Sequence, residues 1–138
     1  MDETYQVRVI GRVESVLRER GEAPKQGDEG GPDAWLAFDP AVARGLGELT
    51  VGQQVLLLTW LDRADRSVLA VHPRGAADRP ETGVFATRSP DRPNPIGLHR
   101  VTVLALDGTR LRVSDLEALD GTPILDVKPV LGGAADER

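Results

Sequence analysis

The sequence predicts a mainly β protein, a small β-barrel or closed sheet with a minor helix, in a single domain. Three observations carry this. Short apolar runs alternate with polar residues at period two, most clearly between Val101 and Val113. Stretches rich in glycine and proline separate the runs. Helix signals are scarce, the clearest being Asp39-Pro40, with an acid at the cap and proline in the first turn. A chain of 138 residues with 40% hydrophobic content is long enough to bury one core without metal or disulfide.

Taken in order, Tyr5 to Val13 alternates, with Tyr5, Val7 and Val9 on one side, and reads as a half-buried first strand. Glu14 to Pro32 is charged and Gly/Pro-rich, a long surface loop in which Ala23-Pro24-Lys25-Gln26 is the part with definite character. Ala34 to Phe38 is a short apolar run, and Ala41 to about Leu46 is a short helix ended by Gly47. Gln53 to Leu61 is a continuous apolar run, which predicts a central strand buried on both faces. Asp65-Arg66 turns into Ser67 to Val71, its expected hairpin partner, and a polar loop from His72 to Thr82 follows. A short strand is expected at Val84 to Thr87 and a longer one from Ile96. Asp107-Gly108 reads as a type I′ turn between two strands. Leu116 to Pro123 is a turn-rich linker, Ile124 to Val127 a last strand, and residues 131–138 a disordered tail to a domain spanning 1–130.

Composition removes several function classes. There is no cysteine, and His72 and His99 are the only histidines, so disulfides, thiolate zinc sites and histidine-rich metal centres are excluded and no metal is expected. The start MDETYQVRVIG is acidic without a long apolar core, which argues against a signal peptide, and the run Val55 to Leu58 is too short to cross a membrane. A cytoplasmic protein is expected. A net charge of −5 opposes broad nucleic-acid binding. No GxGxxG after a strand, P-loop or GxSxG occurs, so Rossmann, nucleotide-triphosphatase and hydrolase-elbow readings have no support.

What remains is the stretch Gly83 to Gly97, GVFATRSPDRPNPIG. Pro90, Pro93 and Pro95 each fix φ and push the preceding residue into extended space. The loop they stiffen holds Arg88, Asp91, Arg92 and Asn94 in fixed relation, a preformed polar site whose ordering cost does not fall on the ligand. The second polar segment is LEALDGTPILDVKP, with Glu117, Asp120, Asp126 and Lys128. Singly, each of its acids is as well explained by a turn or an outward strand face.

Together, GVFATRSPDRPNPIGLHRV and LEALDGTPILDVKP resemble the TsaA-like family, and the resemblance runs from Val9-Ile10-Gly11 through Ala23-Pro24-Lys25-Gln26 to Pro129. The characterised bacterial member of that family is a tRNA methyltransferase that uses S-adenosylmethionine to methylate the exocyclic amine of N6-threonylcarbamoyladenosine. Longer bacterial members carry a further C-terminal domain. The resemblance implies a β-barrel methyltransferase domain acting as a homodimer, with the cofactor near the subunit interface and tRNA as acceptor. Carried over by position, it implies cofactor contacts from Pro24, Lys25, Gln26, Arg88 and Leu98, and from Glu117, Ala118, Leu119 and Asp120. Leu61 and Asp62 follow Trp60 where the family usually has a histidine contact, Lys25 stands where arginine is usual, and Ser15-Val16-Leu17 replaces a serine-proline-aromatic. Arg88 suits the cofactor carboxylate, and Glu117 or Asp120 suits its hydroxyls. Asn94, Asp91 or a backbone carbonyl is the candidate for receiving or polarising the proton of the acceptor amine. The alternatives are a methyltransferase on a different small-molecule or RNA acceptor, and a non-catalytic module that binds adenosyl ligands.

Overall fold

A computed structural model describes residues 2–22, 31–72 and 80–132. Its strands are β1 (Gly11–Glu14), β2 (Ala34–Phe38), β3 (Gln54–Trp60), β4 (Ala70–Val71), β5 (Thr82–Gly83), β6 (Ile96–Asp107), β7 (Arg110–Val113) and β8 (Pro123–Pro129). Six of them pair antiparallel in the order β1-β2-β7-β6-β3-β8, and β8 returns to β1, so the sheet closes into a ring; β4 and β5 form a separate ribbon. Closure leaves few strand edges unpaired. The mainly β, single-domain expectation with a minor helical segment holds.

Alternation decides what faces inward. Val13, Leu36, Phe38, Val55, Leu57, Val101, Val103, Leu111, Val113 and Ile124 are buried and form one core, capped by Leu116 and Ala118. Each such side chain contributes about 1.5–3 kcal/mol by leaving water. Gly11 has its own reason: a Cβ there would lie 2.6 Å from the Ala37 carbonyl oxygen, so only glycine lets β1 approach β2 this closely.

Asp39 caps the 3-10 helix Pro40–Leu46 by accepting from the Ala41 N–H at 2.9 Å, as the sequence signals predict. Several other expectations are corrected. The first strand begins at Gly11, not Tyr5, and Tyr5 and Val7 are 84% and 67% exposed. A strand needs a neighbour, and among the described residues the main chain before Ile10 has none, whereas Ile10 itself donates to the Ile124 carbonyl and accepts from the Asp39 N–H. The Gln53–Leu61 run is central, between β6 and β8, but Leu56, Leu58 and Trp60 are only half-buried, since the ring has an outer face. With both edges of β3 occupied, the Ser67–Val71 segment pairs instead through β4 with β5. Val84–Ala86 is a 3-10 turn rather than a strand, because the Thr87 N–H and hydroxyl both bond back to the Val84 carbonyl. The β6–β7 hairpin turns at Gly108-Thr109, and only Gly108 has positive φ (59°), the type II′ pattern rather than I′. The expected tail at 133–138 lies outside the described residues, as do Pro24, Lys25 and Gln26.

Candidate functional site

The chain runs from β3 through the β4–β5 ribbon and the proline-braced elbow Arg88–Pro95 into β6. The elbow is held from three sides. Arg92 folds back to donate to the Val84 and Thr87 carbonyls. Arg66 stacks over the Trp60 ring at 5.0 Å and donates from Nε to the Pro93 carbonyl (2.7 Å) and from Nη2 to Asn94 Oδ1 (3.1 Å). Asp91 accepts on both oxygens from Arg20 and also receives the Asp65 N–H at 2.9 Å. The Leu61 N–H closes the base on the Pro95 carbonyl, 2.8 Å.

These bonds leave Arg88 as the elbow arginine with no partner among the described residues. It lines a cavity of about 1560 Å³ with Leu61, Asp62, Asp91 and Asn94, with Leu98 and Arg100 of β6, and with Glu117, Ala118 and Leu119. That volume exceeds the roughly 300–1,000 Å³ of a single small-ligand pocket, so the space is a wide cleft.

β6 presents a main-chain edge to this cleft. Its pairing with β3 places residues 97, 99, 101 and 103 with their peptide groups toward β3. Residues 98 and 100 therefore point theirs the other way. β7 pairs with β6 only from Val103 on, so the N–H and C=O groups of Leu98 and Arg100 have no partner among the described residues. Buried or ligand-facing peptide groups need a partner, and here an adaptable donor and acceptor stand side by side.

Beside β6 Glu117 sits with its side chain 16% exposed, one carboxylate oxygen bonded to His99 Nδ1. Asp120 is placed elsewhere. Its carboxylate accepts from the Ser15 N–H (3.0 Å) and Arg18 Nη1 (3.3 Å), and it does not line the cleft. Of the residues expected to contact a ligand, the structure thus brings together Leu61, Asp62, Arg88, Leu98, Glu117, Ala118 and Leu119, with Asp91 and Asn94, and separates Asp120. Among the described residues no cluster of His, Asp and Glu could hold a metal ion, and no helix is long and apolar enough to cross a membrane.

Sequence reasoning missed His99 and Thr59, both buried, and the bracing residues Arg66 and Arg20. One signal was present for His99. It shares the inward register of β6 with Gly97, Val101 and Val103, and a polar side chain on an apolar strand face must find partners.

The chain matches the family model for the tRNA-methyltransferase O N-terminal domain over residues 12–136. It is 43% identical over 124 residues to a probable S-adenosyl-L-methionine-binding protein of Archaeoglobus fulgidus, covering 90% of this chain and 33% of that one. A second protein of Archaeoglobus fulgidus, named S-adenosyl-L-methionine-binding protein, is 40% identical over 122 residues, covering 88% and 86%. The crystal structure of TrmO from P. aeruginosa superposes with a TM-score of 0.74 at 32% identity, over 99% of this chain and 60% of that one. The chain thus spans a third of the first relative and three-fifths of the solved structure. With a family model covering most of its length and both motifs meeting in one cleft, the chain belongs to the family of the tRNA-methyltransferase O N-terminal domain.

Proposed function

We propose that the cleft binds S-adenosylmethionine and that the chain is a methyltransferase acting on the exocyclic amine of threonylcarbamoyladenosine in tRNA. The carrying observation is the meeting in one cleft of Arg88 and the main-chain edge at Leu98, neither with a partner among the described residues, and the Glu117 carboxylate. These groups fit the three polar ends of that cofactor: a guanidinium for its carboxylate, a peptide N–H and C=O for its adenine edge, a carboxylate for its ribose hydroxyls. Glu117 suits the last role better than Asp120, whose oxygens are engaged by Ser15 and Arg18. Pro24, Lys25, Gln26, Leu61 and Asp62 join the contact set on family membership. The closed ring is read as the small β-barrel of the family, with the chain a cytoplasmic homodimer.

When bound, the cofactor supplies a methyl group on a sulfonium, transferable by in-line displacement, which needs alignment more than acid–base power. The elbow provides alignment by rigidity: its prolines and the Arg20, Arg66 and Arg92 braces fix where Arg88 and Asn94 stand. Asn94 keeps one Oδ1 lone pair with no partner among the described residues, which can accept from the N–H of the acceptor amine. Asp91 serves mainly as a brace, since both its oxygens are engaged.

One observation favours a smaller acceptor as the second reading. Of the described arginines around the cleft mouth, Arg18 pairs with Asp120, Arg20 with Asp91, and Arg92 folds inward, which leaves Arg63 and Arg100 as mouth cations with no carboxylate partner among the described residues. That is a narrow footing for an anticodon stem. Transfer of labelled methyl from S-adenosylmethionine to tRNA of cells lacking the modification tests the first reading. Cofactor binding with no transfer to that tRNA, but transfer to small amines or other RNA, supports the second. Binding without any transfer makes it a ligand-binding module, and no binding at millimolar cofactor removes all three.

A further inference from the structure

We propose that His99 is a positioning residue: from inside the ring, its Nδ1–H holds the Glu117 carboxylate in the orientation that offers its second oxygen to the ribose hydroxyls of the cofactor. The inference rests on the cofactor reading above and adds to it a side chain that acts through another.

The ring of His99 is 5% exposed and lies on the inward face of β6. Diagonal to it on β3, opposite Gly97, Thr59 is fully buried, and its Oγ1 lies 2.7 Å from His99 Nε2. The other nitrogen, Nδ1, meets Glu117 Oε1. A carboxylate offers only acceptors, so Nδ1 carries the proton of that bond. With both nitrogens committed, a flip of the ring would place carbons against Thr59 and Glu117 and lose both bonds.

Gly97 makes the arrangement possible. A Cβ at that position would stand 2.6 Å from His99 Nε2 and closer still to Thr59 Oγ1. The strand therefore carries no side chain where the ring passes, although Gly97 itself has no positive φ that would call for glycine. Among the described residues no buried side-chain polar atom lacks a partner, so the Thr59–His99–Glu117 chain is complete. In these poorly solvated surroundings each of its bonds is stronger than in water.

Glu117 is where this chain reaches the cleft. Its side chain would otherwise sample many rotamers, and ordering it at the moment of binding would weaken a ligand by up to about ten-fold. A glutamate already held by a buried donor spares the ligand that ordering and keeps its second oxygen, unpartnered among the described residues, for the ligand.

Calorimetry with S-adenosylhomocysteine and its 2′,3′-dideoxyribose analogue tests this in wild type, His99→Leu and His99→Asn. The wild type is expected to prefer the ribose ligand about ten-fold, as one hydrogen bond to a charged group allows. His99→Leu should erase that preference by weakening the ribose ligand alone. His99→Asn, whose amide N–H can stand where Nδ1–H stood, should restore most of it. Equal weakening of both ligands, or none, in His99→Leu overturns the proposal, since a merely structural residue does not distinguish them. If the wild type binds neither ligand, the cofactor reading fails first and takes this inference with it. Should His99→Leu not fold, imidazole nitrogen NMR of the wild type decides. A proton on Nδ1 that responds to the ribose ligand and not to the dideoxy analogue is expected, and a bare Nδ1 or an identical response to both overturns it.

Discussion

Arg20 Nη2 lies 3.2 and 3.1 Å from the two oxygens of Asp91, joining the segment after the first strand to the proline-braced elbow. The arginine side chain is 47% exposed, so the pair itself is weak, and Arg20→Ala should cost below about 1 kcal/mol in urea denaturation. Asp91→Ala should cost about 1 kcal/mol more, because the Asp65 N–H also loses its acceptor. Asp91→Asn should keep methyl transfer within about five-fold of wild type. A loss of roughly a hundred-fold in kcat at unchanged stability would instead make Asp91 the proton acceptor.

Arg88 is exposed and has no partner among the described residues. Arg88→Ala should therefore leave stability within about 0.5 kcal/mol and weaken S-adenosylmethionine about 10- to 100-fold, the value of a charge-assisted bidentate contact. Unchanged affinity by calorimetry would contradict the placement of the cofactor carboxylate.

Arg66 combines stacking on Trp60 with two hydrogen bonds to the elbow. Arg66→Ala should cost about 1–2 kcal/mol and raise KM for the cofactor. Arg66→Lys should recover little, because an ammonium cannot stack flat and donate to Pro93 and Asn94 together. Full rescue by lysine, read as denaturation midpoint and KM, would show that only the charge matters.

The Asp65 carboxyl is held below its ordinary value of 3.8, first by the Ser67 hydroxyl and then by the Ser67 N–H. A depressed folded pKa contributes stability that is present above the unfolded value and is lost as pH falls through the folded one. Carboxyl carbon NMR should place the Asp65 midpoint below 3.8, and Ser67→Ala should move it upward. A wild-type midpoint above the ordinary value contradicts the turn geometry.

How much of this was legible depended on what each feature needs. The Asp39 cap, the β6–β7 hairpin and the last strand rest on local patterns, and the structure contains them. Tyr5–Val9 and Ser67–Val71 have strand-like residues, but strand identity depends on which edge stands beside them, and that is a property of the closed ring. The site divides likewise. Arg88, Leu98 and Glu117 are motif residues that line one cleft, while Asp120, equally acidic and equally near a turn, faces Ser15 and Arg18 instead. His99 was hidden because its partners, Thr59 and Glu117, come from two other elements.

The main-chain N–H groups of Leu98 and Arg100 have no partner among the described residues and should exchange quickly with deuterium in the free protein. Amide exchange with and without S-adenosylmethionine tests the convergence of elbow and acidic turn most directly. Slowed exchange at Leu98 and at Glu117 to Leu119 together is the predicted result. Protection confined to one of these segments, or falling on neither while the ligand binds, would contradict a single site built from both.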